Sequence, residues 1–109
     1  MQRYAKTLGA SLILSLPLIA QVQAQEVDGT ALYSQHCVKC HGKDGRANTL
    51  RGWFTSAQDL TDSVWQAETS DADILEAFEQ GPRSMPSYAK KLNAAEQNAL
   101  VQTVRGLQR

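Results

Sequence analysis

Two cysteines and a histidine stand together at Cys37-Val38-Lys39-Cys40-His41. On one helical turn the thiols at i and i+3 lie on the same side. Each can form a thioether to one edge of a porphyrin, and the histidine that follows can reach an iron from the proximal face. C-x-x-C-H is the attachment signature of a covalent c-type haem. Three other chemistries use the same atoms. A Cys37–Cys40 disulfide leaves His41 unexplained. A redox dithiol of the thioredoxin kind wants a βαβ pattern, which this sequence lacks. A zinc site drawn from His36, Cys37, Cys40 and His41 crowds four ligands into six residues, too tight for easy tetrahedral geometry.

A second iron ligand has to come from far along the chain. Past the first residues Met85 is the sole methionine, 44 positions after His41, in Gly81-Pro82-Arg83-Ser84-Met85-Pro86-Ser87-Tyr88. Pro86 stiffens this loop and biases Met85 away from helical geometry. Methionine is more often core filler, but a loop between two prolines is a poor place for that, and His/Met is a standard haem ligand pair. His36, the one other histidine, directly precedes Cys37 on the proximal side and reads as a surface residue.

The elements that must position these groups read as helices joined by one long irregular loop. Asp28 is a good N-cap for a helix from about Gly29 to His36, with Leu32 and Tyr33 as its apolar face. Gly42 to Gly52 is rich in Gly, Asn, Asp and Arg, which is loop chemistry. A short helix around Ser63 to Gln66 is weakly marked. A firmer one spans Asp71 to Gln80, with Ser70 and Asp73 as a variant capping box, Ile74, Leu75 and Phe78 as its stripe, and Gly81-Pro82 as its stop. The last helix starts after Asn93, has Glu96 as its capping-box partner, and buries Leu100, Val101, Val104 and Leu107. No stretch alternates with period two, so no sheet is expected.

Composition agrees with one small domain. Of 109 residues 42% are hydrophobic and 20% charged, with 11 basic and 11 acidic side chains. The balance excludes a fibre and a disordered tail, and the absence of a basic stripe excludes nucleic acid as a partner. Residues 1–24 read as a secretory signal peptide: Arg3 and Lys6 precede the apolar run Leu8 to Ala20, and Val22-Gln23-Ala24 supplies small residues for cleavage. The run is shorter than the roughly 20 apolar residues of a membrane-spanning helix, so no stable membrane insertion is expected after cleavage. The domain is then 25–109, 85 residues with a formal charge of −2. A chain this short buries a modest core and usually needs a staple.

Cys37-x-x-Cys40-His41-Gly42, the lead-in Gly29-x-x-Leu32-Tyr33, and Met85-Pro86 followed by a C-terminal helix resemble the small bacterial class I c-type cytochromes. The resemblance covers essentially all of residues 25–109. It implies an all-α fold of three to five helices around one covalent haem c, monohaem and His/Met ligated. Cys37 and Cys40 would carry the thioethers, and His41 and Met85 would be the axial ligands. The N- and C-terminal helices would cross at Gly29 and Tyr33, opposite Leu100, Val101 and Val104. Trp53, Phe54, Trp65 and Tyr88 would wall the pocket. An indole N–H, or Arg51 and Arg83, would serve the propionates. One feature departs from the family: no proline lies between Pro17 and Pro82. The carbonyl that accepts the hydrogen bond of the ligand histidine is therefore expected near Leu50 to Trp53.

With both axial positions filled, no substrate reaches the iron, and no Ser/His/Asp set or second haem motif is present. The expected function is one-electron transfer in the bacterial periplasm, without catalysis. Two alternatives stand beside it: a haem subunit of a periplasmic oxidoreductase complex, and a haem enzyme or sensor with a displaceable sixth ligand. Charge points to the partner. Residues 37–51 sum to +3, residues 82–91 to +3, and residues 59–79 to −7. The basic segments hold the expected ligands, so the donor and acceptor proteins are expected to offer an acidic docking patch.

Overall fold

The computed structural model describes residues 9–17 and 26–109. The expected cleavage site at Val22 to Ala24 lies outside the described residues. Residues 9–17 hold no regular secondary structure, and Leu12, Ile13, Leu14 and Leu16 are exposed. No helix among the described residues is long and apolar enough to cross a membrane.

The fold is all-α, with no strand among the described residues. Helix α1, Gly29–His36, starts where the Asp28 carboxylate accepts from Thr30 N and Ala31 N, at 3.0 and 3.1 Å. Helix α2, Val38–His41, is a single turn that stops at Gly42, whose φ of +78° suits glycine. Helix α3, Leu50–Thr55, is capped by Thr49. Helix α4, Ser63–Glu68, is capped by Asp62. Helix α5, Asp71–Gln80, carries the full Ser70–Asp73 capping box and ends at Gly81 in the left-handed region. Helix α6, Ala94–Arg105, carries the Asn93–Glu96 box.

Among the described residues six helical segments stand where three to five were expected. The surplus is local: α2 is one turn, and α3 takes over the last part of a stretch expected to be loop. A six-residue helix has no room for a repeating apolar stripe, so its one sequence mark is the Thr49 hydroxyl that accepts from Gly52 N at 2.9 Å.

The core lies between α1, α5 and α6. Tyr33, Ile74, Phe78, Leu100, Val101 and Val104 are buried there, joined by Leu60, Tyr88 and Leu92 from the connections. The α1–α6 crossing falls at Gly29. A Cβ at that position would come within 2.5 Å of Ala99 O and would also strike the Thr103 hydroxyl. The two backbones approach because Gly29 brings no side chain to the contact. Buried Gln66 ties α4 to this core by donating to Leu60 O at 2.8 Å and Val104 O at 2.9 Å. Arg105 then fastens the end of α6 to the α4–α5 turn through Gln66 O, Gln66 Oε1, Thr69 O and Asp71.

Candidate functional site

A cavity of about 410 Å³ opens between α1–α2 on one side and the α5–α6 connection on the other. Cys37, Cys40, His41 and Met85 all line it, so the fold brings together every residue that the sequence marked as a ligand or attachment point. Its remaining walls are largely apolar and include Leu60, Ile74, Phe78 and Val104.

Cys37 and Cys40 sit at the start and third residue of the α2 turn, half-buried and unbridged. Burial, reinforced by neighbouring Cys40, pushes the Cys37 thiol up to about 11. No group of three or more metal-ligating His, Cys, Asp or Glu residues occurs among the described residues. The zinc reading loses its support on this geometry.

His41 closes the turn, and its Nδ1 lies 2.9 Å from Gln58 O. A carbonyl can only accept, so Nδ1 carries the proton and Nε2 keeps its lone pair. Burial draws the ring below its ordinary pKa, against the opposing effect of the Gln58 bond. A neutral, oriented imidazole is the form that binds metal. The acceptor is not among Leu50 to Trp53, as the sequence suggested. Those residues are inside α3, where Gly52 O is taken by Ala57 N and Arg51 O by the Thr55 hydroxyl. The chain must first leave the helix at Ser56, which has φ of +53°, before a carbonyl becomes available.

Thr49 sets the attachment turn against α3. Its hydroxyl donates to Cys40 O at 2.7 Å and accepts from Gly52 N. Gly52 is buried at this contact, where a Cβ would collide with Cys40 O and lie 2.7 Å from Ala47 O. Tyr33 braces the other end of the turn by donating to Gly42 O at 2.7 Å. Burial, with smaller effects from Cys37 and Asp44, lifts the Tyr33 phenol to about 12.

Met85 is half-buried on the Gly81–Tyr88 loop, where its N–H donates to Pro82 O at 3.1 Å. The loop folds tightly on Gly81, since a Cβ there would lie 2.5 Å from Met85 O and 2.6 Å from Ser87 N. Buried Tyr88 docks it at both ends. Its N–H donates to Phe78 O at 2.7 Å, and its hydroxyl donates to His36 O at 3.1 Å, across to the end of α1.

Several expected wall residues move. Trp65, Tyr88 and Arg83 line the cavity, but Trp53, Phe54 and Arg51 do not. Trp53 and Phe54 are 75% and 71% exposed and pack edge-to-face on each other. His36 is not simply a surface residue: it is half-buried, lines the cavity and stands edge-on to the Tyr88 ring at 5.4 Å. Gln58 and Thr49 escaped the sequence reading because they act through a main-chain carbonyl and a cap. Neither leaves a motif.

Two thiols one turn apart, a neutral imidazole and a thioether around one apolar cavity define the class: a c-type cytochrome. The profile of the family described as "Cytochrome C oxidase, cbb3-type, subunit III" matches residues 24–102, and the chain belongs to this family. Among curated relatives, the cbb3-type cytochrome c oxidase subunit FixP of Bradyrhizobium diazoefficiens is 30% identical over 80 residues, 72% of this chain and 26% of that one. FixP of a second Bradyrhizobium is 28% identical over the same shares. The chain thus spans about a quarter of the length of these relatives. Among solved structures, the KustC0563 c-type cytochrome superposes with a TM-score of 0.71 at 42% identity, covering 76% of this chain and 100% of that one. A point-mutant form of it gives 0.68 at 41%, covering 75% and 100%. The expected all-α class I fold and the covalent haem c follow from these likenesses. The chain is a c-type cytochrome domain of this kind.

Proposed function

We propose that Cys37 and Cys40 hold the haem through two thioethers and that His41 and Met85 are its axial ligands. The observation that carries this is the His41 Nδ1–Gln58 O hydrogen bond, which frees Nε2 in a cavity that Met85 also lines. The bound group supplies a one-electron Fe(III)/Fe(II) couple. The Gln58 carbonyl holds the ring's orientation and raises its basicity. The soft sulfur of Met85 favours the reduced state and a high potential. Ile74, Phe78 and Leu60 keep water from the ligands. With both faces occupied, the protein passes electrons without catalysis.

Residues 1–24 serve as an export leader, and the 25–109 domain works in the periplasm. Its redox partners there present acidic patches to the basic segments 37–51 and 82–91. The FixP likeness favours a second reading, in which the domain is the haem subunit of an oxidase-type complex. Gel filtration and co-purification separate carrier from subunit.

The ligand set is tested by substitution in the haem-loaded protein. Cys37→Ser or Cys40→Ser should abolish haem staining on denaturing gels. Met85→Ala should keep the stain, lower the potential and open the reduced protein to CO. An unchanged spectrum and potential in Met85→Ala would remove Met85 from the site.

A further inference from the structure

The outer face of α3 has no task in the fold. The helix turns Gly52 inward against Cys40 O, while Leu50, Trp53 and Phe54, at i, i+3 and i+4, are 76%, 75% and 71% exposed. Single exposed apolar residues are ordinary. Three of them on one face of a six-residue helix, two of them aromatic, form a contiguous patch of the kind that marks an interaction site. Tryptophan is also among the residues that most often dominate binding energy.

The surroundings say what would cover it. Lys43, Arg46 and Arg51 border the patch in sequence and are exposed. The sole acidic residue between 42 and 58 is Asp44, and its carboxylate already accepts from Arg46 N at 3.0 Å. An apolar centre with a cationic border complements an apolar centre with a carboxylate border. The patch also adjoins the site: α3 touches the attachment turn through Gly52, and its last residue, Thr55, lines the cavity together with Ser56 to Gln58.

We propose that Leu50, Trp53 and Phe54 are the apolar anchor of the docking surface for an acidic-bordered protein partner in electron transfer. This rests on the ligand set proposed above and places the contact on the Cys40 side of the cavity, with the aromatic pair as its centre and Lys43, Arg46 and Arg51 as its steering border. These charges set the encounter rate, and the aromatic pair sets the lifetime of the complex.

The test uses ¹⁵N-labelled, haem-loaded protein in the reduced state. The probe is a synthetic amphipathic helical peptide with a leucine face bordered by glutamates. Its titration should shift amide signals of residues 43–58. Trp53→Ser combined with Phe54→Ser should weaken binding about tenfold or more, with the haem spectrum unchanged. Arg51→Glu should also weaken it, and the same peptide bordered by lysines should not bind. Each of these outcomes overturns the proposal: shifts confined to other surfaces, no binding, unaltered binding by the double variant, or wild-type sedimentation with phosphatidylglycerol vesicles that the double variant loses, which would make the patch a membrane contact. Concentration-dependent self-association lost in the same variant would make it a contact between copies, and overturns it too. The haem spectrum of each sample reads the ligand set separately. A missing spectrum counts against that set, whereas an intact spectrum with a silent titration counts against the patch alone.

Discussion

Thr49 shows how a single hydroxyl serves the site without touching a cofactor. It satisfies Cys40 O and Gly52 N at once, at 2.7 and 2.9 Å, and so fixes α3 to the attachment turn. Thr49→Val keeps the shape and removes both bonds. Leaving the half-buried Cys40 O and the buried Gly52 N–H unpaired should cost about 1–3 kcal/mol each. Thermal melts of the haem-loaded protein check this, and no change in midpoint would mean that water replaces the hydroxyl. The histidine is legible in the sequence at this scale, but its partner is not. C-x-x-C-H marks the ring proposed to bind. It cannot state that the carbonyl of Gln58, 17 residues on, receives the ring's proton, because every residue type carries the same carbonyl.

Among the elements, the α1–α6 crossing has least tolerance. Gly29→Val would drive methyl groups into Ala99 O and the Thr103 hydroxyl, an overpacking that should cost about 1–3 kcal/mol or more. At about 4–8 °C per kcal/mol for a domain this size, the midpoint should drop visibly while the haem spectrum stays the same. Tyr33→Ala at the same crossing should cost about 3–5 kcal/mol. Helix α5 offers a pH test. Hydrogen bonds from the Ser70 backbone and side chain hold the Asp73 carboxyl below its ordinary value of 3.8. A carboxylate with a depressed folded-state pKa contributes stability above the ordinary value, and the contribution is lost as pH falls through the folded value. Asp73→Asn should therefore melt earlier than wild type at about pH 7, and the two curves should converge as pH is lowered below the ordinary carboxyl value of 3.8. Parallel curves would show that the box does not depend on the charge.

On the scale of the whole molecule, a near-neutral formal charge hides an uneven distribution. The segments bearing His41 and Met85 are basic, and residues 59–79 carry seven acidic side chains and no basic one. Association with a redox partner should slow as salt rises through about 0.1 M, where the Debye length is about 10 Å. Lys43→Glu or Lys90→Glu should slow it further without altering the spectrum. Stopped-flow mixing over an ionic-strength series measures this. A flat rate would show that encounter is governed by the apolar face, and a rising one that the partner's surface is basic.

The sequence by itself determined the chemistry and the strong helices. Cys37, Cys40, His41 and Met85 stand out as the proposed attachment and ligand residues because thioether attachment and soft-ligand coordination demand particular side chains at particular spacings. Helices α1, α5 and α6 are recognisable because capping residues and apolar stripes are local. The tertiary structure alone decided which carbonyl serves His41, that α3 forms where loop chemistry was written, and that Trp53 and Phe54 face outward rather than into the cavity. Those outcomes depend on main-chain groups and on the side of a short helix that Gly52 turns toward Cys40. An aromatic residue reads the same in sequence whether it walls a pocket or waits for a partner. The direction it faces is set by contacts far along the chain.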